Sequence, residues 1–146
     1  MKIIILAGGK GTRISEYTKT IPKPMIRINK KPILIHIMEH YLKFGFKDFY
    51  LALGYKKEVI INFFRNFKKI NKPFYYYLKG TKVTITLVDT GKNTLTGGRI
   101  KRMKKFINNN EDFMFTYGDG VSNVNLKKIL LFHRKKKKMI TVTAVR

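Results

Sequence analysis

A chain of 146 residues fits one domain with a buried core, and 44% hydrophobic with 13% aromatic content argues for a folded globule over disorder. The absence of cysteine excludes disulfides, thiol catalysis and thiolate metal sites, and suits a reducing compartment. The formal charge of +24 would suit a polyanion, but the lysines are spread along the whole chain and accompany many Ile, Asn, Phe and Tyr. Those residues have A/T-rich codons, so the charge reads as compositional drift more readily than as a nucleic-acid or membrane footprint.

The chain opens on Ile3-Ile4-Ile5-Leu6, which reads as a buried parallel strand. With Lys2 it is too short for a secretory signal, and no apolar run approaches the length that spans a bilayer. It runs into Ala7-Gly8-Gly9-Lys10-Gly11-Thr12-Arg13. Three glycines there let the backbone turn sharply and bring N–H groups close to phosphate oxygens. Arg13 adds a forked cation. The turn is neither a P-loop, because Lys10 precedes Gly11, nor a dinucleotide fingerprint, because Ile14 fills the last glycine position.

Residues 17–25 read as irregular around Pro22-Lys23-Pro24. Pro32 suits the first position of a helix carrying Leu34, Met38, Tyr41 and Leu42 on one stripe, with Gly45 as its stop. A strand over 48–53 leads to a helix over 58–67 with Val59, Ile60, Phe63, Phe64 and Phe67 inward. Residues 74–78 and 83–88 are β-like. Thr96-Gly97-Gly98 opens a basic helix with Ile100, Met103, Phe106 and Ile107 inward, closed by Asn108-Asn109-Asn110. Phe113-Met114-Phe115 is a short strand running into Tyr117-Gly118-Asp119-Gly120. Leu126, Ile129, Leu130 and His133 stripe a last helix, and 139–145 reads as a final strand. Strands alternating with helices imply an α/β fold: a mostly parallel sheet with helices on both faces, and no internal repeat or linker.

Eight carboxylates leave few choices for chemistry. Asp119 follows a buried strand between two glycines and is the best candidate for a metal, since Mg²⁺ takes one or two carboxylates with phosphate oxygens and water; an ordinary turn aspartate fits equally well. Asp89 caps a turn or orients a loop. Lys23, stiffened by two prolines, is well placed to neutralise a phosphate. His36 and His40 stand at metal-binding spacing, but without a third ligand they read as one helix face.

Together these stretches resemble the sugar-nucleotide pyrophosphorylases, a family of nucleotidyltransferases, and within them the glucose-1-phosphate cytidylyltransferases. Leu6-Ala7-Gly8-Gly9-Lys10-Gly11-Thr12-Arg13 with Lys23 downstream is the signature of the wider family. The closer likeness lies in three further stretches. These are Pro22-Lys23-Pro24-Met25 followed by Lys31-Pro32-Ile33-Leu34, residues 83–91 followed by Thr96-Gly97-Gly98-Arg99-Ile100-Lys101-Arg102, and Phe115-Thr116-Tyr117-Gly118-Asp119-Gly120-Val121.

The resemblance implies a Rossmann-like nucleotidyltransferase fold, C-terminally incomplete here, with 1–146 as the nucleotide-binding domain. It implies that CTP and α-D-glucose 1-phosphate react to CDP-glucose and diphosphate with Mg²⁺, in the cytoplasm, for O-antigen dideoxysugars. Residue by residue, Leu6, Ala7, Gly8, Gly9, Lys10, Gly11, Thr12 and Arg13 would hold the nucleotide and its phosphates. Arg13 and Lys23 would balance charge on the reacting phosphates. Thr94 and Arg99 would contact nucleotide or product, Gly118 would lie against the nucleotide, and Asp119 would bind Mg²⁺. Family members continue well past Arg146 into most of the sugar pocket, a second metal-binding aspartate and the segments that make a homo-oligomer. Two other readings compete. One is a non-catalytic CTP-binding module. The other is a polyanion binder, which would need exposed aromatics interleaved with a basic groove, whereas the aromatics here fall on apolar stripes.

Overall fold

The apolar run at the start forms β1 (Lys2–Ala7), and its buried residues face alternately to the two sides of a sheet. A computed structural model describes residues 1–11, 20–65, 70–108 and 111–144. A two-stranded ribbon, β2 (Arg27–Ile28) with β3 (Lys31–Pro32), leads into helix α1 (Ile33–Lys43). Then follow β4 (Asp48–Leu53), α2 (Lys57–Phe63), β5 (Pro73–Leu78), β6 (Thr81–Asp89), α3 (Thr96–Arg102), β7 (Phe113–Tyr117) and α4 (Leu126–Lys136).

The main sheet has the order β5-β6-β4-β1-β7, parallel except for the antiparallel β5. β1 registers Ile5 against Leu51 on one side and Thr116 on the other. Ile3, Ile5 and Ala7 pack with Leu34, Met38, Ile60 and Leu126, under α1, α2 and α4. Ile4 and Leu6 pack with Ala52, Val88 and Met103 on the opposite face, beside α3. Helices on both faces explain why β1 and β4 are near-continuously apolar.

From β1 the chain builds outward through β4 to β6, then returns to the other side of β1 as β7. Such a reversal opens a crevice beyond the carboxyl ends of the strands. Ala7 is level with Leu53 and Leu53 with Asp89, while Leu6 is level with Tyr117, so all four parallel strands end at that edge.

Helix α1 stops as its sequence implies. Gly45, at φ 86°, donates its N–H to Leu42 O and Phe46 donates to Tyr41 O, the bonds of a Schellman motif. Pro32 stands one position earlier than expected, as the cap residue. Helix α2 ends before 67, because Arg65 is left-handed at φ 51°; Phe67 lies outside the described residues.

The expected strand over 139–145 does not form in 139–144. Met139, Ile140 and Val142 are exposed, and Thr141 Oγ1 meets His133 Nδ1 at 2.8 Å, so the segment folds back on α4. The alternating pattern is that of a strand, but no neighbouring strand pairs with it among the described residues. The aromatics also divide: most are core, but β5 turns Tyr75 and Tyr77 to solvent, and Phe115 and Tyr117 of β7 are exposed.

Phe49 is fully buried at the sheet centre, so Phe49→Ala should cost about 3–5 kcal/mol of unfolding free energy in urea titrations. Tyr77→Ala, at an exposed edge position, should stay within about 0.5 kcal/mol. Equal losses at both positions would contradict this packing.

Candidate functional site

The site is assembled where β1 and β7 end. Leu6 O accepts the Gly118 N–H at 3.0 Å, extending the ladder one residue past β7. A Cβ on Gly118 would stand 2.7 Å from Pro24 Cγ and 3.0 Å from Leu6 O, so only glycine lets these three segments close together. Pro22 and Pro24 are buried either side of Lys23, which opens a 3₁₀ turn, Lys23–Met25, closed by Met25 N–H to Pro22 O at 2.8 Å. With both backbones fixed, Lys23 Nζ lies 2.5 Å from Asp119 Oδ2. Both side chains keep partial contact with solvent, 24% and 30% exposed. The two residues singled out in separate parts of the sequence therefore form one ion pair at the crevice.

The glycine turn borders the same edge. Gly8 is buried, and its carbonyl accepts from the Tyr55 N–H at 3.1 Å and from Arg99 Nη2 at 2.7 Å. Gly9 and Lys10 are exposed, and Gly11 has a φ of 62° that favours glycine. Thr12 and Arg13 lie outside the described residues.

Thr94 is half-buried, its Oγ1 accepting from Arg102 Nη1 at 2.7 Å. Arg99 is only 4% exposed. Its Nη1 donates to Leu53 O, Thr90 Oγ1 and Gly91 O, and its Nη2 to Gly8 O. Burial, and then the neighbouring Arg102, hold its pKa below arginine's usual value, with Asp89 acting the other way.

Asp89 orients a loop: Oδ1 accepts the Gly91 N–H at 3.0 Å and Oδ2 meets Lys57 Nζ at 2.5 Å. The hydrogen bond from Lys57 leads the causes that lower its pKa, against burial.

Sequence reading passed over Thr90, Lys57, Arg102 and Gly54. Thr90 is fully buried, donating Oγ1–H to Leu53 O at 2.6 Å while accepting from Arg99. Its place in Val88-Asp89-Thr90-Gly91 was the available signal.

A hollow of 640 Å³ lies on α3, lined by Lys101, Arg102, Lys104, Lys105, Ile107 and Asn108, and none of the expected site residues lines it. The two helix histidines each face a backbone carbonyl, His36 Nε2 at Ile28 O and His40 Nε2 at Val124 O, both at 3.0 Å. A carbonyl only accepts, so each Nε2 carries the proton. Among the described residues no group of three or more His, Asp or Glu is placed to hold a metal ion. A hard cation at Asp119 would therefore draw its remaining oxygens from a ligand and water, a set that fits Mg²⁺.

A sequence profile of the family described as nucleotidyl transferase matches residues 2–146. The chain belongs to this nucleotidyl transferase family. It is 42% identical, over 99% of its length, to the glucose-1-phosphate cytidylyltransferase of Salmonella typhimurium and to a probable one of Bacillus subtilis, and covers 60% of each. A D-glycero-alpha-D-manno-heptose 1-phosphate guanylyltransferase of Campylobacter jejuni is 38% identical over 92% of the chain, with 55% of that protein covered. The chain thus spans about three-fifths of the length of the cytidylyltransferases it matches. Among solved structures, HddC from Yersinia pseudotuberculosis complexed with GMP-PN superposes with a TM-score of 0.70 at 29% identity, covering 90% of this chain and 53% of HddC. UDP-glucose pyrophosphorylase complexed with UDP-glucose gives the same TM-score, 0.70, at 24% identity, a likeness of fold, with 93% of this chain and 54% of that one covered. The likeness to these structures agrees with the mostly parallel, Rossmann-like sheet of this chain.

In this nucleotidyl transferase Asp89 should titrate below the ordinary aspartate value of about 3.9. Because its folded pKa is depressed, its contribution to stability is present above that value and is lost as pH falls through the lower folded pKa. Lys57→Met should raise the Asp89 titration in carboxyl NMR; an unmoved midpoint would remove Lys57 as the cause.

Proposed function

We propose that the chain forms the nucleotide-binding part of a glucose-1-phosphate cytidylyltransferase. The ion pair between Lys23 and Asp119, beside the β1 turn, carries the reading. The 42% identity to cytidylyltransferases supports cytidine as the base. CTP would lie along Leu6, Ala7 and Gly8, with N–H groups of the turn, Lys10 and Arg13 toward its phosphates. In the reaction an oxygen of the sugar phosphate bonds to the α-phosphorus in line, and the bond to the departing diphosphate breaks. No covalent enzyme intermediate is needed, so rate comes from positioning and charge neutralisation.

Lys23 supplies a fixed ammonium that neutralises phosphate charge as it develops. Asp119 and ligand oxygens would hold Mg²⁺, which supplies further charge neutralisation when bound. On this reading Asp119 would hold the cation, and the Lys23 ammonium beside it would face the phosphate. Thr94 supports Arg102 and sits behind the loop that carries Gly91. The reading puts the reaction in the cytoplasm, where CTP and Mg²⁺ meet, and makes CDP-glucose a precursor of O-antigen dideoxysugars. On this reading the sugar pocket and oligomer contacts would come from the part of the relatives' length that this chain does not span.

A second reading is CTP binding without turnover. Incubation with CTP, Mg²⁺ and glucose 1-phosphate, followed by ³¹P NMR, separates the two. CDP-glucose and diphosphate indicate the enzyme; CTP binding without product indicates the binding module; no CTP binding contradicts both. Lys23→Ala and Asp119→Asn should each lower turnover about 10²-fold, or CTP affinity if turnover is absent, by loss of a preorganised charge.

A further inference from the structure

β5 is an edge strand, paired with β6 alone among the described residues. Its Phe74, Tyr76 and Leu78 turn into the core, so Tyr75 and Tyr77 share the opposite face. Those two rings are 67% and 68% exposed. On β6, Thr84 is level with Tyr75 and Lys82 with Tyr77, so all four stand in one surface. Lys82 reaches diagonally across it and places Nζ 3.7 Å from the centre of the Tyr75 ring. Exposed rings scattered singly are ordinary. Here two stand side by side, about 7 Å apart along the strand, with an ammonium stacked on one of them.

The charge around this surface is of one sign. Residues 59–88 hold Arg65, Lys68, Lys69, Lys72, Lys79 and Lys82 and no carboxylate. Lys79 lies 3.6 Å from Glu39. Lys72 and Lys82 are exposed, and among the described residues no carboxylate pairs with either. Asp48 stands one strand further in, level with Thr84, with Lys2 beside it on β1. This is the end at which the parallel strands begin, opposite the crevice beyond Leu53 and Asp89.

We propose that the Tyr75–Tyr77 face of β5 binds single-stranded nucleic acid without reading its sequence. Composition accounts for the number of lysines but not for two rings facing water beside them. An unpaired strand supplies bases to stack on the rings and phosphates to meet the lysines, and every base has a π-face. A duplex keeps those faces inside its own stack. Lys82 serves twice, holding the Tyr75 ring and setting a cation beside the phosphate of a stacked base. A second copy of the chain suits this edge poorly, because it brings the same cations and Pro73 has no N–H to pair at the start of the strand. The surface is independent of the nucleotide site proposed at the other end of the sheet.

The test is fluorescence anisotropy of a labelled oligothymidylate of about 15 nucleotides, and of the matching oligouridylate, with the full chain over a range of salt. The tighter of the two arms tells DNA from RNA as the natural strand. The single strand should bind more tightly than a duplex of equal length. Tyr75→Ala and Tyr77→Ala should each weaken binding about fivefold or more, the scale of one stacked base, while Tyr77→Phe stays within about twofold. Lys82→Met should weaken it and reduce the slope of log affinity against log salt by about 0.7. Inorganic polyphosphate, which has no bases, should bind with an affinity that neither tyrosine alters. Saturating CTP should leave the oligomer bound, and NMR should show the Tyr75 and Tyr77 ring resonances moving while the amides of residues 8–11 and 118–119 stay.

No binding at low salt would overturn the proposal. Full affinity in both Tyr→Ala variants would overturn it as well, since net charge alone behaves that way. Losses for polyphosphate as large as for the oligomer would remove stacking as the cause, and displacement by CTP would move the strand to the crevice; either result contradicts the assignment. Should Tyr75→Ala not fold, Tyr77→Ala and the ring resonances of the unaltered chain decide on the same outcomes.

Discussion

The absence of a side chain at Gly118 is the constraint on which the site depends. The Pro24 ring and the Leu6 carbonyl occupy the space a Cβ would need. Through that contact the chain end of β7, the proline turn and the end of β1 become one rigid unit. Lys23 and Asp119 then meet on backbone segments already in contact, a preorganisation that the proposed reaction, having no covalent intermediate, would use. The hydrogen bond from Gly118 to Leu6 O adds the backbone register that the sheet already sets.

Electrostatics reinforce the geometry. With 32 cations against eight carboxylates, most acidic groups are claimed by lysine or arginine. Glu39 lies with Lys31 and Lys79, Asp112 with Arg134, Glu111 with Lys2, and Asp89 with Lys57. These mostly exposed pairs contribute little to stability one by one. They leave the chain with a formal net charge of +24, a field that favours anionic ligands and weakens as salt is added. The basic hollow on α3 shares that charge, but it has no carboxylate comparable to Asp119 among its lining residues.

Much of this was legible in the sequence where local rules decide. The apolar run before the glycine turn gave β1, Gly45 gave the end of α1, and the paired prolines marked Lys23 among many lysines. Asp119 stood out because a strand leads into it between glycines. The rest depended on distant partners. Ile140, Thr141 and Val142 alternate like a strand, yet a strand exists only where another pairs with it. By local pattern Arg99 reads as one of several basic residues on a short helix, and only the family resemblance singles it out. Its burial is created by Gly8 and Gly54, far away in the chain, and periodicity carries no record of that. Thr90 was passed over for the same reason, since its hydroxyl acquires meaning only between Leu53 O and Arg99.

The central claim is that the β1 turn and the turn carrying Asp119 are two walls of one nucleotide site. Paramagnetic relaxation by Mn²⁺, used in place of Mg²⁺ and added with CTP, tests it most directly through the amide spectrum. The account predicts that residues 8–11 and residues 118–119 broaden together, and that EDTA reverses the effect. Broadening confined to the basic hollow at residues 101–108, with both turns untouched, would contradict it.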